Sequence, residues 1–277
     1  MNLAKELVCA EGKVSLDKMR TGVTPGAPDR KKAEIMSETL ADVIRERQMN
    51  LFVNGTRALL VVLQGMDTAG KDGTIRHVFS RVNPAGCSVT NFKQPSGVEK
   101  QHDFLWRAHK AVPPLGIIGI FNRSYYEDVL VVRVHSDELL PEYLRGEKHL
   151  WKWRFALINI FEEMLVRNGI CVLKLFLHIS KDEQKKRLID RQQTKAKNWK
   201  LSGDDITERG YWQQYTEAYE KCIEHTNTKF APWHIIPSDH KWYRNFAAAT
   251  LVEDALARMD LPVPKISDPG LLKIKIR

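Results

Sequence analysis

One stretch restricts the fold of this chain more than any other. The uninterrupted apolar run Arg57-Ala58-Leu59-Leu60-Val61-Val62-Leu63-Gln64 leads directly into Gly65-Met66-Asp67-Thr68-Ala69-Gly70-Lys71-Asp72-Gly73-Thr74. An apolar run without alternation marks a strand buried on both faces, and such strands belong to parallel sheets. The spacing Gly65-x4-Gly70-Lys71, placed after a strand and before a helix, is that of a phosphate-binding loop. Its glycines let the backbone curl so that successive N–H groups converge on one anion, and the helix N-terminus adds its positive end. Lys71 reaches the terminal phosphates. The competing reading is a tight strand–helix turn with an exposed lysine. The bare pattern arises by chance in roughly one chain in ten of this length, and its context makes that reading the weaker one.

The loop departs from the usual form. Where a Ser or Thr hydroxyl normally ligates the metal, Asp72 stands, and Thr74 is displaced by two positions. A carboxylate inside the loop, Asp67, would repel phosphate unless a cation lay between them, which makes it a candidate ligand for Mg²⁺ or Mn²⁺. A second apolar run, Gly116 to Phe121, ends in Asn122-Arg123-Ser124-Tyr125-Tyr126-Glu127-Asp128. Asn122 is neutral where a phosphotransferase often carries a metal-binding Asp, so the metal work shifts toward Asp67, with Asp128 or Glu127 nearby. Arg123, at the carboxyl end of a strand, is placed to clamp a transferring phosphoryl group; the alternative is a structural ion pair.

Further strands are expected at 88–92, 171–179 and 233–236. Helices are expected from the Asp29 cap onward, through about 82 after the loop, and at 97–111, 147–168, 181–195, 208–227 and 241–259. The inner stripe of the first helix reads as Ile35, Leu40, Val43, Ile44 and Leu51. This alternation argues for an α/β fold, a parallel sheet covered on both faces with its ligands at the strand carboxyl ends. Residues 1–28 read as an N-terminal arm, 29–260 as a single domain, and 261–277 as a basic tail.

The 43 Lys and Arg against 34 Asp and Glu leave a net charge of +9. Phosphate chains, nucleic acid and an acidic membrane are all compatible with that excess. Lys181 to Lys200 holds eight basic residues against three acids, so over half of the excess sits in one segment. No interleaved aromatic–basic platform accompanies it, which demotes nucleic acid. The longest apolar runs fall far short of the ~20 residues that span a bilayer. Acidic residues follow the N-terminus too early for a signal peptide, and Cys9, Cys87, Cys171 and Cys222 show no metal or disulfide spacing. A cytoplasmic protein with neither membrane nor nucleic-acid partner is expected, as a homo-oligomer (dimer or tetramer).

The loop, His102-Asp103-Phe104-Leu105-Trp106-Arg107, Phe121 to Leu130, Asp190-Arg191, Lys197-Asn198-Trp199-Lys200 and Ala231-Pro232-Trp233 together resemble the polyphosphate kinase 2 family. The resemblance implies a three-layer α/β/α P-loop kinase fold, similar to thymidylate kinase, with a helical lid over about 185–207. It implies Mg²⁺-dependent, reversible phosphoryl transfer between inorganic polyphosphate and adenine or guanine nucleoside mono- and diphosphates. The Ser124 to Leu130 stretch looks like the subgroup accepting both AMP and ADP, and Glu127 is the position connected with that choice. An ATP-dependent nucleoside monophosphate kinase is the alternative. On this reading Asp67, Lys71, Arg123, Arg187 and Arg191 are catalytic, the two lid arginines forming a paired clamp at i and i+4. Gly65, Ala69, Gly70, Lys71, Asp72, Gly73, Thr74 and Lys200 bind the phosphate chain. Arg133 either joins them or pairs with a carboxylate. Phe92, Lys93, Asn122 and Glu127 face the nucleotide, although a core role for Phe92 is equally compatible. Lys181, Lys185 and Lys186 are either phosphate contacts or a solvated face. Asp67 and Asp128 are the expected metal ligands.

Overall fold

A computed structural model describes residues 3–9, 12–200, 203–262, 265 and 268–274. The five expected strands are present: β1 (Ala58–Gln64), β2 (Cys87–Asn91), β3 (Ile118–Asn122), β4 (Ile170–His178) and β5 (Trp233–Pro237). All pair in parallel in the order β2-β3-β1-β4-β5. The run that carries the loop is therefore the central strand, and every residue of β1 is buried. Its register sets Leu63 against both Asn122 and Leu175, which aligns the carboxyl ends of β1, β3 and β4.

The helices are α1 (Leu3–Leu7), α2 (Arg30–Asn54), α3 (Lys71–Val78), α4 (Trp106–Ala111), α5 (Val131–Val134), α6 (Ser136–Leu139), α7 (Leu150–Arg167), α8 (Lys181–Gln193), α9 (Gly203–Glu208), α10 (Trp212–Thr226) and α11 (Lys241–Ala257). One layer is built around α11, which packs on α2, α3 and the sheet; α7 and α10 pack together, α7 lying on β4. The Asp29 side chain caps α2 by accepting from the Lys32 amide at 3.1 Å. That cap fixes the phase of the helix so that Ala33, Ser37, Ala41, Ile44, Gln48 and Leu51 face inward. Ile35, expected inside, is 60% exposed; the small residues of the inner face let α2 approach α11 closely. The helix expected over 97–111 is confined to α4, because Asp103 accepts from the Leu105 amide (2.9 Å) in a side-chain turn that breaks it.

The described residues of the N-terminal segment pack on the domain. Leu3, Ala4, Leu7 and Leu16 are buried, Val8 bridges antiparallel to His234 at the edge strand β5, and the Thr21 hydroxyl donates to Asp239 at 2.7 Å. Among the described residues no helix is long and apolar enough to cross a membrane.

A polar network crosses the core on the α7 side. Lys174, in the middle of β4, and Glu162, on α7, form an ion pair at 2.7 Å with neither side chain exposed. Lys174 also donates to the Thr226 carbonyl (2.6 Å) and the Tyr126 hydroxyl (3.1 Å). The hydroxyls of Tyr125 and Tyr126 both donate to Glu162 Oε1, at 2.8 and 2.7 Å. Both charges are thus paired and hydrogen-bonded, the condition under which burial of an ion pair is tolerated. We expect Glu162→Leu, which strands the lysine charge, to cost about 3–5 kcal/mol in urea denaturation. Adding Lys174→Met should recover much of that loss; a double variant no more stable than the single one would contradict the pairing.

Candidate active site

The loop after β1 curls through three residues of positive φ, Gly65 (153°) being the first. Gly70 has φ 109° and Thr68 φ 64°. At Gly65 a Cβ would lie 2.7 Å from the Leu177 carbonyl oxygen, so only glycine fits beside β4. The loop carbonyls point backward and are held there: Arg187 Nη1 donates to the carbonyls of Thr68 (3.0 Å) and Ala69 (2.9 Å). Within the loop the Ala69 amide donates to the Met66 carbonyl at 3.1 Å, and the amino end of α3 borders a cleft of about 1120 Å³.

Lys71 Nζ folds over the loop, donating to the Gly65 carbonyl at 2.7 Å. Burial, and then the neighbouring charge of Arg123, pull its pKa below the ordinary lysine value. Arg123 has φ 61°, which redirects its side chain from the end of β3 into the cleft. There it donates to Asp67 at 2.7 Å and pairs with Glu127 at 3.5 Å. Burial works against its charge, yet Glu127 and Asp67 outweigh it and hold the guanidinium above the ordinary arginine value. Burial raises the pKa of Glu127 against the pull of Arg123 and Lys71. Asn122 links the loop to β2, donating to Asp72 (2.8 Å) and Asn91 (2.7 Å). Gly65, Asp67, Gly70, Lys71, Asp72, Gly73, Phe92, Lys93, Asn122, Arg123, Glu127 and Arg191 all line the cleft.

Several expected residues lie elsewhere. Arg187 does not face the cleft as a clamp: five hydrogen bonds, one for each N–H, tie it to Glu183 and to the carbonyls of Thr68, Ala69, Ser238 and Asp239. Arg191, one helical turn on, does line the cleft and donates to Asp205 at 3.1 Å. Asp128 is not at the cleft. Its carboxylate is buried and paired with Arg107 at 3.2 Å, so it is removed from the metal ligands. The Thr74 hydroxyl donates to the Gly70 carbonyl at 3.1 Å and is buried, which takes it from phosphate. Arg133 stacks on the Trp151 ring at 5.5 Å and is not among the cleft residues. Phe92 combines both readings, packing edge-on to Phe121 while its rim borders the cleft. Lys181, Lys185 and Lys186 are exposed, as a solvated face requires. The Lys200 side chain lies outside the described residues.

Trp212, Tyr215 and Tyr219, which read from sequence as helix-packing aromatics, form a wall of the cleft. Their i, i+3, i+7 spacing on α10 was the available signal. The Tyr215 hydroxyl donates to Glu208 at 2.6 Å, and His135 approaches the same carboxylate at 3.0 Å.

Among the described residues no group of three or more His, Cys, Asp or Glu could hold a metal. Asp67 nevertheless fits a hard divalent cation. It offers a partly exposed carboxylate whose one oxygen is held by Arg123, and such cations complete their shell with water and substrate phosphate.

A phosphate loop after the central strand of a parallel sheet, faced by arginine and lysine from neighbouring strand ends, defines a P-loop kinase. The polyphosphate kinase 2 family model matches residues 28–263, and the chain belongs to that family. An ADP-polyphosphate phosphotransferase of Rhodopseudomonas palustris is 41% identical over 94% of this chain and 92% of that protein. An AMP/ADP-polyphosphate phosphotransferase of Meiothermus ruber is 44% identical over 80% of each. The crystal structure of polyphosphate kinase 2 from Arthrobacter aurescens TC1 superposes with a TM-score of 0.92 at 39% identity, over 99% of this chain and 95% of that one. The chain is therefore a kinase, and kinases of its family are generally metal-dependent.

We expect Asp128→Asn to weaken the Arg107 pair and destabilise the fold by about 1–3 kcal/mol. The divalent-cation concentration needed for half-maximal activity should stay unchanged. A shifted metal requirement would return Asp128 to the metal site.

Proposed function

We propose that the enzyme transfers the terminal phosphate of inorganic polyphosphate, reversibly, to nucleoside mono- and diphosphates. AMP and ADP are the primary acceptors, with guanine nucleotides as further candidates. The carrying observation is the junction of Lys71, Arg123 and Asp67 at the mouth of a loop whose Thr68 and Ala69 carbonyls are held from behind by Arg187. An anionic chain meets the cations Lys71 and Arg123 there, beside the Asp67 carboxylate that a bound cation would neutralise. The names of the relatives support polyphosphate as donor over the alternative of ATP acting on a nucleoside monophosphate.

The acceptor's phosphate oxygen is ionised at neutral pH, so no side-chain nucleophile or base is required. Catalysis rests on alignment and charge neutralisation. The loop amides from Gly65 to Gly73 and Lys71 hold the donor chain. Arg123 spans donor and acceptor, tethered by Asp67 and Glu127 so that it is oriented before substrate arrives. Arg191 closes on the phosphates from the lid segment 185–207. Phe92, Lys93, Asn122 and Glu127 border the acceptor side, and Glu127 sets how far a nucleotide enters. Asp67 would hold Mg²⁺ or Mn²⁺, and a divalent cation held there would supply positive charge to offset that of the phosphates. Residues 29–260 act as one kinase domain in a cytoplasmic homo-oligomer, with the N-terminal segment and basic tail as its extensions.

Two measurements test this reading. Purified protein given polyphosphate and ADP or AMP should produce ATP in a luciferase assay; no signal at any chain length, together with activity from ATP and AMP, would favour the alternative donor. Lys71→Ala should lower transfer by at least about 10²–10³-fold, and full retained activity would remove the loop from the site.

A further inference from the structure

Arg244 lies behind the phosphate loop, in the first turns of α11, and is 4% exposed. Its Nη1 donates to the Ala69 carbonyl at 3.2 Å, the same oxygen that Arg187 binds. Its Nε and Nη2 both donate to the Asn245 side-chain oxygen, at 3.2 and 2.8 Å. The guanidinium is pressed against the loop backbone. A Cβ on Gly70 would fall 1.8 Å from Nη1, and one on Gly73 would fall 3.2 Å from Nη2. Gly70 is thus glycine for two reasons, its left-handed backbone and the cation behind it.

The environment of this arginine is unusual for a buried charge. Its hydrogen-bond acceptors are a carbonyl and an amide. Among the described residues it has no carboxylate ion-pair partner, and the nearest strong electrostatic neighbour is another cation, Arg187. Arg187 has Glu183 at 2.9 Å; Arg244 has no such counter-ion. Burial, and then the charge of Arg187, lower its pKa to about 10, so it is protonated at neutral pH. An unpaired buried cation is a destabilising element. The opposite face of the same few backbone atoms is the loop that opens to the cleft.

We propose that Arg244 is a positioning residue for the phosphate donor whose missing counter-ion is the polyanion itself, bound across the thickness of the Ala69–Gly73 backbone. This rests on the reading of the cleft as a polyphosphate site. The guanidinium fixes the left-handed turn at Gly70, and its charge adds to the positive end of α3 from behind. It touches no substrate atom. A residue acting only as a brace would need the hydrogen bond to Ala69 but not the charge.

Tripolyphosphate, without nucleotide, is the probe. Calorimetric titration should show Arg244→Met weakening tripolyphosphate binding by about 10- to 100-fold, the size of effect seen when the supporting partners of a binding group are removed. AMP affinity should stay within about twofold, as for an independent site. Arg244→Lys, which keeps the charge but not the fork, should recover most of the lost tripolyphosphate affinity. Arg244→Gln keeps a donor for Ala69 without the charge, and should behave as the Met variant does; it also serves if the Met variant does not fold. Tripolyphosphate binding unchanged in Gln and Met variants would overturn the proposal, as would equal losses for tripolyphosphate and AMP. If the wild-type protein itself binds no tripolyphosphate, the reading of the cleft has failed, a result distinct from either.

Discussion

The backward fastening of the Thr68 and Ala69 carbonyls is the interaction on which the rest of the molecule turns. A peptide group that offers its oxygen to one side must offer its N–H to the other. By binding both carbonyls through one fully committed guanidinium, the protein fixes the shape of the loop before any ligand arrives, while Lys71 and Arg123 line the cleft in front of it. The parallel sheet serves this arrangement: β1 delivers the loop, β4 supplies the wall against which Gly65 fits, and β5 leads to the Ser238 and Asp239 carbonyls that complete the Arg187 socket.

A second fixed point lies one layer away. The Lys174–Glu162 pair anchors both hydroxyls of Tyr125 and Tyr126. These residues sit between Arg123 and Glu127, so the two cleft-facing groups of that segment project from a turn nailed to the core at its centre. The paired tyrosines therefore bear on Arg123 geometry without approaching the cleft themselves.

The fold was legible because its signals are local. The central strands β1 and β3 are largely apolar runs, and the loop announces itself by spacing. What stayed hidden depends on partners distant in sequence. Lys174 interrupts an apolar strand, and nothing nearby identifies Glu162 as its partner. Asp67 and Asp128 are both carboxylates beside a strand end, but a left-handed residue and a tight turn send one toward the cleft and the other onto Arg107. Arg187 and Arg191 do share a helical edge. One turn of rise is nevertheless enough to separate a residue behind the loop from one beyond its rim, and periodicity carries no information about where a helix starts along its neighbour. Lys71, by contrast, needed only its spacing, and Arg123 its strand end.

The bridge between Val8 and His234 joins segments separated by almost the whole length of the chain. During synthesis the segment around Leu3 to Leu16 emerges long before β5 exists to receive it, and its apolar side chains have no seat until then. The exposed edge of β5, once formed, is in turn open to pairing with another molecule until that segment arrives. Closing contacts of such long sequence separation is slow, and an edge left unpaired meanwhile is a hazard that docking of the N-terminal segment removes.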